Sequence, residues 1–371
     1  MQPLELAVHG VKGLTPYIPG KPIGELEREL GITDIVKLAS NENPLGPSRK
    51  ALAAAADALA QVHLYPDGGG FELKAALAAR FKLDPAQITL GNGSNDVLEL
   101  IARAFLGPGV SAVFSEHAFA VYPIVTQAVG ASARVAPAHD GHRGPRYGHD
   151  LDALRERVDG QVRVVFIANP NNPTGTYLDR DALTRFLRGL PNHVVPVIDE
   201  AYIEYVDADD YPDALTLQGL HPHLVVTRTF SKAYGLAGLR VGYAVSSAPM
   251  ADLLNRVRQP FNVNAPALAA AVAALEDADH LARTVALNTA GRALLTDELT
   301  RRGLVVIPSV GNFVTFDAGK PASPVYEALL RQGVIVRPIA NYGLPNHLRV
   351  TVGTEAENHF FLTALDRVMT A

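Results

Sequence analysis

Five short β-rich runs, at residues 110–114, 162–168, 194–198, 224–229 and 241–245, dominate the middle of the chain. Helical patterns at 123–130, 150–158 and 179–189 lie between most of them. Strands separated by helices cannot pair as tight hairpins. They pair in parallel, and the helices that connect them cover both faces of the sheet. The alternation therefore predicts an α/β fold, a mostly parallel sheet wrapped by helices. In such a sheet ligands sit outside the carboxyl ends of the strands, so chemistry is sought immediately after each run. At 371 residues and 48% hydrophobic content, the chain can bury a core of the size this requires.

The flanks differ in texture. Residues 1–48 are punctuated by Pro16, Pro19, Gly20, Pro22, Pro44, Gly46 and Pro47, with one helical patch at 23–30. This reads as an N-terminal arm. Helices are expected at 49–63, 71–81 and 94–106, the last with Ser94 as N-cap and Asp96 in its first turn. After about residue 256, helical stretches at 265–277 and 280–301 precede β-like runs at 304–307, 312–317, 334–337 and 348–352 and a helix near 325–332. The expected division is an arm (1–48), a large domain (49–255) and a smaller α+β C-terminal domain (256–371).

Several classes of function are excluded. With 33 basic and 38 acidic residues the net charge is −5, so neither nucleic acid nor an anionic membrane is an expected partner. No apolar stretch reaches 18 residues and no secretory core opens the sequence, which points to the cytoplasm. The absence of cysteine removes disulfides, thiolate nucleophiles, iron–sulfur clusters and Cys-ligated zinc. Twelve histidines are present without a His-Glu-x-x-His pattern. His139, His142 and His149 fall in a biased stretch that reads as a loop, and no metal is expected.

Four polar segments fall at run ends or in a glycine turn. Gly91-Asn92-Gly93-Ser94-Asn95-Asp96 enters a helix, and its backbone N–H groups suit an anion. It lacks the third glycine of a dinucleotide fingerprint and the Gly-Lys-Ser/Thr of a P-loop, and a well-capped helix would read the same way. Asn169-Pro170-Asn171-Asn172-Pro173-Thr174-Gly175 follows run 162–168. Its three amides exceed the needs of a turn and can face a ligand. Asp199-Glu200-Ala201-Tyr202 follows run 194–198, and a buried carboxylate there wants a cation, from a ligand or a neighbouring arginine. Thr229-Phe230-Ser231-Lys232-Ala233-Tyr234-Gly235-Leu236-Ala237-Gly238-Leu239-Arg240 sets a lysine among hydroxyls, glycines and aromatics. A lysine so placed can lose its proton and act as a Schiff-base nucleophile.

Together the four ask for one ligand. It is anionic at one end, for the Gly91 turn, Thr229, Ser231 and Arg240. It carries a ring nitrogen for Asp199 and accepts Lys232 as an imine. Pyridoxal 5′-phosphate meets all three demands.

At these motifs, and at Ala39-Ser40-Asn41-Glu42-Asn43-Pro44 and Tyr65-Pro66-Asp67, the chain resembles fold-type-I pyridoxal-phosphate aminotransferases, most closely the histidinol-phosphate aminotransferase family. The resemblance runs from Leu14-Thr15-Pro16-Tyr17 to Leu348-Arg349-Val350-Thr351-Val352-Gly353. It implies that Lys232 carries the cofactor and shuttles the substrate proton, and that Asp199 partners the ring nitrogen. Tyr202 and Asn172 match the pair that hydrogen-bond the ring oxygen. Ser94, Asn95, Thr229, Ser231 and Arg240 match the phosphate cradle. Tyr65 matches a tyrosine that reaches the phosphate of the neighbouring subunit, implying a homodimer. Two departures stand out: Asn95 where the family often has aspartate, and Phe119 where a tyrosine often stacks on the ring.

The resemblance also assigns the substrate side. Arg349 matches the arginine for the carboxylate of glutamate or 2-oxoglutarate. Arg337 matches a second arginine for the distal carboxylate or the substrate phosphate. Tyr17 is the third expected substrate contact, and equally a packing residue of the arm. The expected activity is ping-pong transamination of histidinol phosphate with 2-oxoglutarate, in histidine biosynthesis. An aromatic amino acid aminotransferase and a decarboxylase of a phosphorylated amino acid share the cofactor motifs. A regulatory module that binds the cofactor without turnover would need a DNA-binding segment, and the arm has no basic face.

Overall fold

The computed structural model describes residues 2–370. In chain order its strands are β1 (Val36–Lys37), β2 (Ile88–Gly91), β3 (Ser111–Ser115), β4 (Ser132–Ala136), β5 (Val162–Ala168), β6 (Val195–Asp199), β7 (Val225–Thr229), β8 (Gly242–Val245), β9 (Val305–Ile307), β10 (Phe313–Asp317), β11 (Val334–Ile335), β12 (Arg337–Pro338) and β13 (His347–Thr351). A seven-stranded sheet runs in the order β2-β8-β7-β6-β5-β3-β4. Neighbours from β7 to β4 are parallel, whereas β8 is antiparallel to both β7 and β2. The architecture is the expected α/β one.

The central strands are buried on both faces, and side-chain parity sorts them. Val164, Phe166 and Ala168 of β5, Val195 and Val197 of β6 and Val225 of β7 pack with Val97, Leu98 and Ile101 of helix Ser94–Phe105. Val165 and Ile167, Ile198 and Val226 point the other way, onto Leu183, Phe186 and Leu187 of helix Arg180–Gly189. Because side chains alternate along a strand, Asp199, Thr227 and Thr229 fall on the first face and Glu200 and Arg228 on the second. This parity decides which carboxylate meets which partner below.

Two strands of this sheet escaped the sequence reading. Ile88–Gly91 is only four residues long. Ser132–Ala136 is an edge strand whose side chains are mostly exposed, so it carries no apolar signature. Ser94 is also not the N-cap of its helix. Gly93 takes that position at φ 81°, and Ser94 is the first helical residue. The close approach of Arg240 explains the glycine, since a Cβ on residue 93 would lie 2.4 Å from the Arg240 Nη2.

A second sheet, β12-β13-β10-β9, is antiparallel and lies within residues 305–351. Its core joins Phe316, Leu348 and Val350 to Leu295, Leu299 and Phe361 of the flanking helices. Packing cuts across the sequence divisions at two places. Helix Ala265–Leu275 lays Ala267, Ala270 and Ala271 against Ala51, Leu90 and Tyr243, on the first sheet's side of the molecule. The proline-rich stretch pairs β1 in parallel with β11, and Leu26 and Ala39 pack with Leu330 and Ile335.

Candidate active site

The carboxyl ends of β5, β6 and β7 open into a cavity of about 430 Å³. Every sequence-predicted site residue except Tyr65 lines it. Strand β5 delivers Ala168 and, beyond it, Asn172. Strand β6 ends in Asp199, with Tyr202 in the following turn. Strand β7 ends in Thr229, followed by Ser231 and Lys232. The arm supplies Tyr17, and the second sheet supplies Arg337 and Arg349 from its adjacent strands.

Lys232 is half-buried, and its Nζ donates to the Ser40 carbonyl at 2.9 Å. It sits 5.8 Å from the Tyr202 ring centroid. Burial pushes its pKa down to about 8, and the positive charges of Arg349 and Arg240 push in the same direction against Glu42. The lysine is thus a nucleophile held without a counter-ion in direct contact.

Asp199 lies at the cavity wall with no arginine beside it. Its Oδ1 accepts from Thr227 Oγ1 and its Oδ2 from Tyr122 Oη, each at 2.9 Å. Burial raises its pKa, opposed by these two donors, by the backbone N–H of Ala201 and by the charge of Lys232. The salt bridge that the sequence allowed for Asp199 belongs instead to Glu200. There Arg228 Nε and Nη2 donate to Glu200 Oε2 at 3.0 and 2.7 Å, on the opposite face of the sheet. Strand parity separates the two adjacent carboxylates.

The asparagine segment also divides. Asn169 exchanges hydrogen bonds with Leu178 through both ends of its amide. Asn171 donates to the carbonyl of His117 and to Thr174. Both are turn staples. Only Asn172 of the three faces the cavity, its Oδ1 accepting from Arg349 Nη1, which leaves its amide nitrogen free to donate.

At the opposite end, Ser94 and Asn95 present the first turn of helix Ser94–Phe105. Arg240 Nη1 donates to Ser231 Oγ at 3.2 Å, and Ser231 N donates to Thr229 Oγ1 at 3.1 Å. Hydroxyls, a guanidinium and helix N–H groups converge there, the donor set an oxyanion dianion requires.

Arg337 and Arg349 are directly opposed partners on β12 and β13. Like charges so placed repel, unless an anion lies between them. Arg349 is buried; Nη2 donates to the Ala39 carbonyl at 2.6 Å, and Nε has no partner. Burial lowers its pKa. Arg337 donates to the Ile18 carbonyl at 2.7 Å and stands 5.7 Å from the Tyr17 ring. Tyr17 is 49% exposed.

Tyr65 is not brought to this cavity. It is 82% exposed and stacks on Phe261 at 4.7 Å. Two residues without an assigned role stand in the site. Asn41, in the left-handed region at φ 56°, donates from Nδ2 to Tyr202 Oη at 2.9 Å. Tyr122 holds Asp199. Asn41 belongs to a motif already singled out, but Tyr122 reads as an ordinary helix-core aromatic. Among the described residues no group of three or more His, Asp or Glu side chains is arranged to hold a metal. None of their helices is long and apolar enough to cross a membrane.

The profile of the aminotransferase class I and II family matches residues 33–365. This chain belongs to that family. Histidinol-phosphate aminotransferase 2 of Methylococcus capsulatus is 66% identical over 364 residues, covering 98% of each chain. The enzyme of the same name from Pseudomonas aeruginosa is 60% identical, over 99% of this chain and 98% of its own length. Among solved structures, histidinol-phosphate aminotransferase of Sinorhizobium meliloti in complex with pyridoxal-5′-phosphate superimposes with a TM-score of 0.88. It shares 29% identity and covers 100% of this chain and 97% of its own.

Proposed function

We propose that the chain is a pyridoxal-phosphate-dependent transaminase that exchanges an amino group between L-histidinol phosphate and 2-oxoglutarate. The observation that carries this reading is one cavity with two anion-seeking ends and a nucleophilic lysine between. Ser94, Asn95, Thr229, Ser231 and Arg240 form one end, and Arg337 with Arg349 the other. The residues present fit the cofactor. The buried Asp199 carboxylate lacks a cation, as a site for a protonated ring nitrogen should. The Gly93 position is kept bare for Arg240 beside the phosphate cradle.

Mechanistically, pyridoxal phosphate supplies an aldehyde for amines and a ring that takes up the electrons of a broken Cα–H bond. Lys232 would hold the aldehyde end of the cofactor, and its Nζ would carry the substrate Cα proton. A lysine near pKa 8 can both take and return that proton close to neutral pH. Asp199 holds the proton on the ring nitrogen. Tyr202 and the free amide nitrogen of Asn172 would serve the ring oxygen, and Phe119 would hold the ring by its face. Arg349 grips a substrate carboxylate or phosphate with Arg337, while Tyr17 closes over it from the arm. Two unlike substrates, both anionic at the far end, can therefore use the same arginines in turn.

The reading includes a cytoplasmic homodimer in which Tyr65 completes the neighbouring subunit's phosphate site. Its support is the exposure of Tyr65 and Phe261 near other exposed apolar side chains, Leu59, Val62, Leu64 and Phe71, on and after helix Arg49–Leu59. An organisation into residues 49–255 and 256–371 with an arm at 1–48 is proposed with it, helix Ala265–Leu275 crossing over to the larger part.

A coupled assay tests the function. Cofactor-loaded protein is given histidinol phosphate and 2-oxoglutarate, and glutamate is measured. Stoichiometric glutamate, with phenylalanine a far poorer donor, is expected. Glutamate formed faster from phenylalanine would reassign the chain to aromatic amino acids.

A further inference from the structure

Tyr122 lies in the first turn of helix Val121–Ala128 and is fully buried. Its ring stacks in parallel on Phe166 of β5 at 4.8 Å and 6°. It meets Phe119 edge-on at 5.9 Å and 89°. Held by these rings, the side chain carries its hydroxyl to Asp199 Oδ2 at 2.9 Å. Burial first, and then the neighbouring Asp199 charge, push the phenol pKa far up, so the group remains a donor.

We infer that Tyr122 is a positioning residue whose hydroxyl keeps the Asp199 carboxylate ionised, so that the proton shared with a bound ring nitrogen stays on the nitrogen. The inference rests on the proposed cofactor. The physical argument concerns basicity. Asp199 has two side-chain donors, Thr227 from the adjacent strand on Oδ1 and Tyr122 from the helix on Oδ2, beside the backbone N–H of Ala201. Each donor stabilises the anion and weakens it as a base. In a buried pair of acid and pyridine, a weaker carboxylate base leaves the proton on the ring. A stronger one pulls it across and gives a neutral pair. Thr227 occupies Oδ1, so it cannot replace a donor lost from Oδ2. The ring of Tyr122 also backs Phe119, and so ties the stacking residue of the cavity to its carboxylate.

The test uses the cofactor-loaded enzyme with pyridoxal phosphate labelled with ¹⁵N in the ring. Tyr122→Phe removes one oxygen and keeps the stack. Its ¹⁵N resonance is expected to move toward neutral pyridine, with kcat/KM falling about tenfold for both substrates, the scale of a hydrogen bond to a charged group. Placing 3-fluorotyrosine at position 122 strengthens the donor and is expected to move the resonance the opposite way. It also tests the idea should the phenylalanine variant not fold. An unchanged resonance in a folded, loaded Tyr122→Phe protein overturns the inference, as does a shift of the same sign in both proteins. Failure of the wild-type chain to bind the cofactor would instead remove the proposed cofactor itself, and this inference with it.

Discussion

The floor and the lip of the cavity are built on different principles. Asp199 and Thr229 are buried at the ends of neighbouring parallel strands and Lys232 stands just past them, with the Asp199–Thr227 pair fixed by sheet register. Tyr17, Arg337 and Arg349 come from the arm and the second sheet. Their links, Arg337 to Ile18 and Arg349 to Ala39, join residues more than 300 positions apart. A floor inherited from one sheet suits chemistry that tolerates no misplacement. A lip assembled from two distant segments suits a surface that must receive two different anions in turn.

The largest effects should therefore come from the floor. Lys232→Ala is expected to lower turnover by on the order of 10⁴-fold or more, because nucleophile and proton carrier are lost together. Absorbance of the bound cofactor in single-turnover mixing reads it directly, and a loss below tenfold would break the contrast. Asp199→Asn, nearly isosteric, is expected to cost roughly 10²- to 10³-fold in kcat/KM, the scale of losing a preorganised charge at a reacting centre. Titrating both substrates should show equal losses, since the floor serves both half-reactions.

Arg349→Lys sharpens the comparison. Losing the two-pronged grip should raise KM for 2-oxoglutarate by about 10- to 100-fold, with kcat much less affected. A fall in kcat alone would place Arg349 with the floor. The Lys232 pKa of about 8 predicts how the cofactor-free protein captures pyridoxal phosphate. Only the neutral amine adds to the aldehyde, so the rate should fall about tenfold per pH unit below 8 and level off above it. Stopped-flow absorbance across the pH range checks the sign and the midpoint. The smallest effect belongs to Tyr17→Phe. An exposed aromatic on the arm is expected to change KM by about threefold or less, in steady-state assays with either substrate.

The same contrast explains what the sequence made legible. Residues such as Asp199 and Lys232 stand where α/β geometry puts chemistry, after β-rich runs whose apolar pattern is plain. That Glu200 and not Asp199 pairs with Arg228 needed the parity of β6 against β7, which only the sheet register supplies. Asn169 and Asn171 looked like ligands beside Asn172 because composition does not reveal which amide is spent on its own turn. Ser94 looked like a cap because the close approach of Arg240, which demands Gly93 at that position, is a long-range fact. Strand Ser132–Ala136 gave no signal because its side chains are mostly exposed. Tyr122 stayed hidden for the opposite reason, since a buried tyrosine in a helix reads as core until its hydroxyl is followed to Asp199. Tyr65 was legible only by resemblance, and it lies outside this chain's own cavity.

The measurement that tests the central claim most directly is a pair of half-reactions. Cofactor-loaded protein is titrated with histidinol phosphate alone, then separately with glutamate alone, while the bound-cofactor absorbance is followed. One cavity serving two anions in turn predicts complete spectral conversion by each amino donor without the other, at one equivalent per Lys232. Competition between the two should be mutual, and Arg349→Lys should weaken both. Conversion that requires both substrates together, or by glutamate but not histidinol phosphate, would contradict the account.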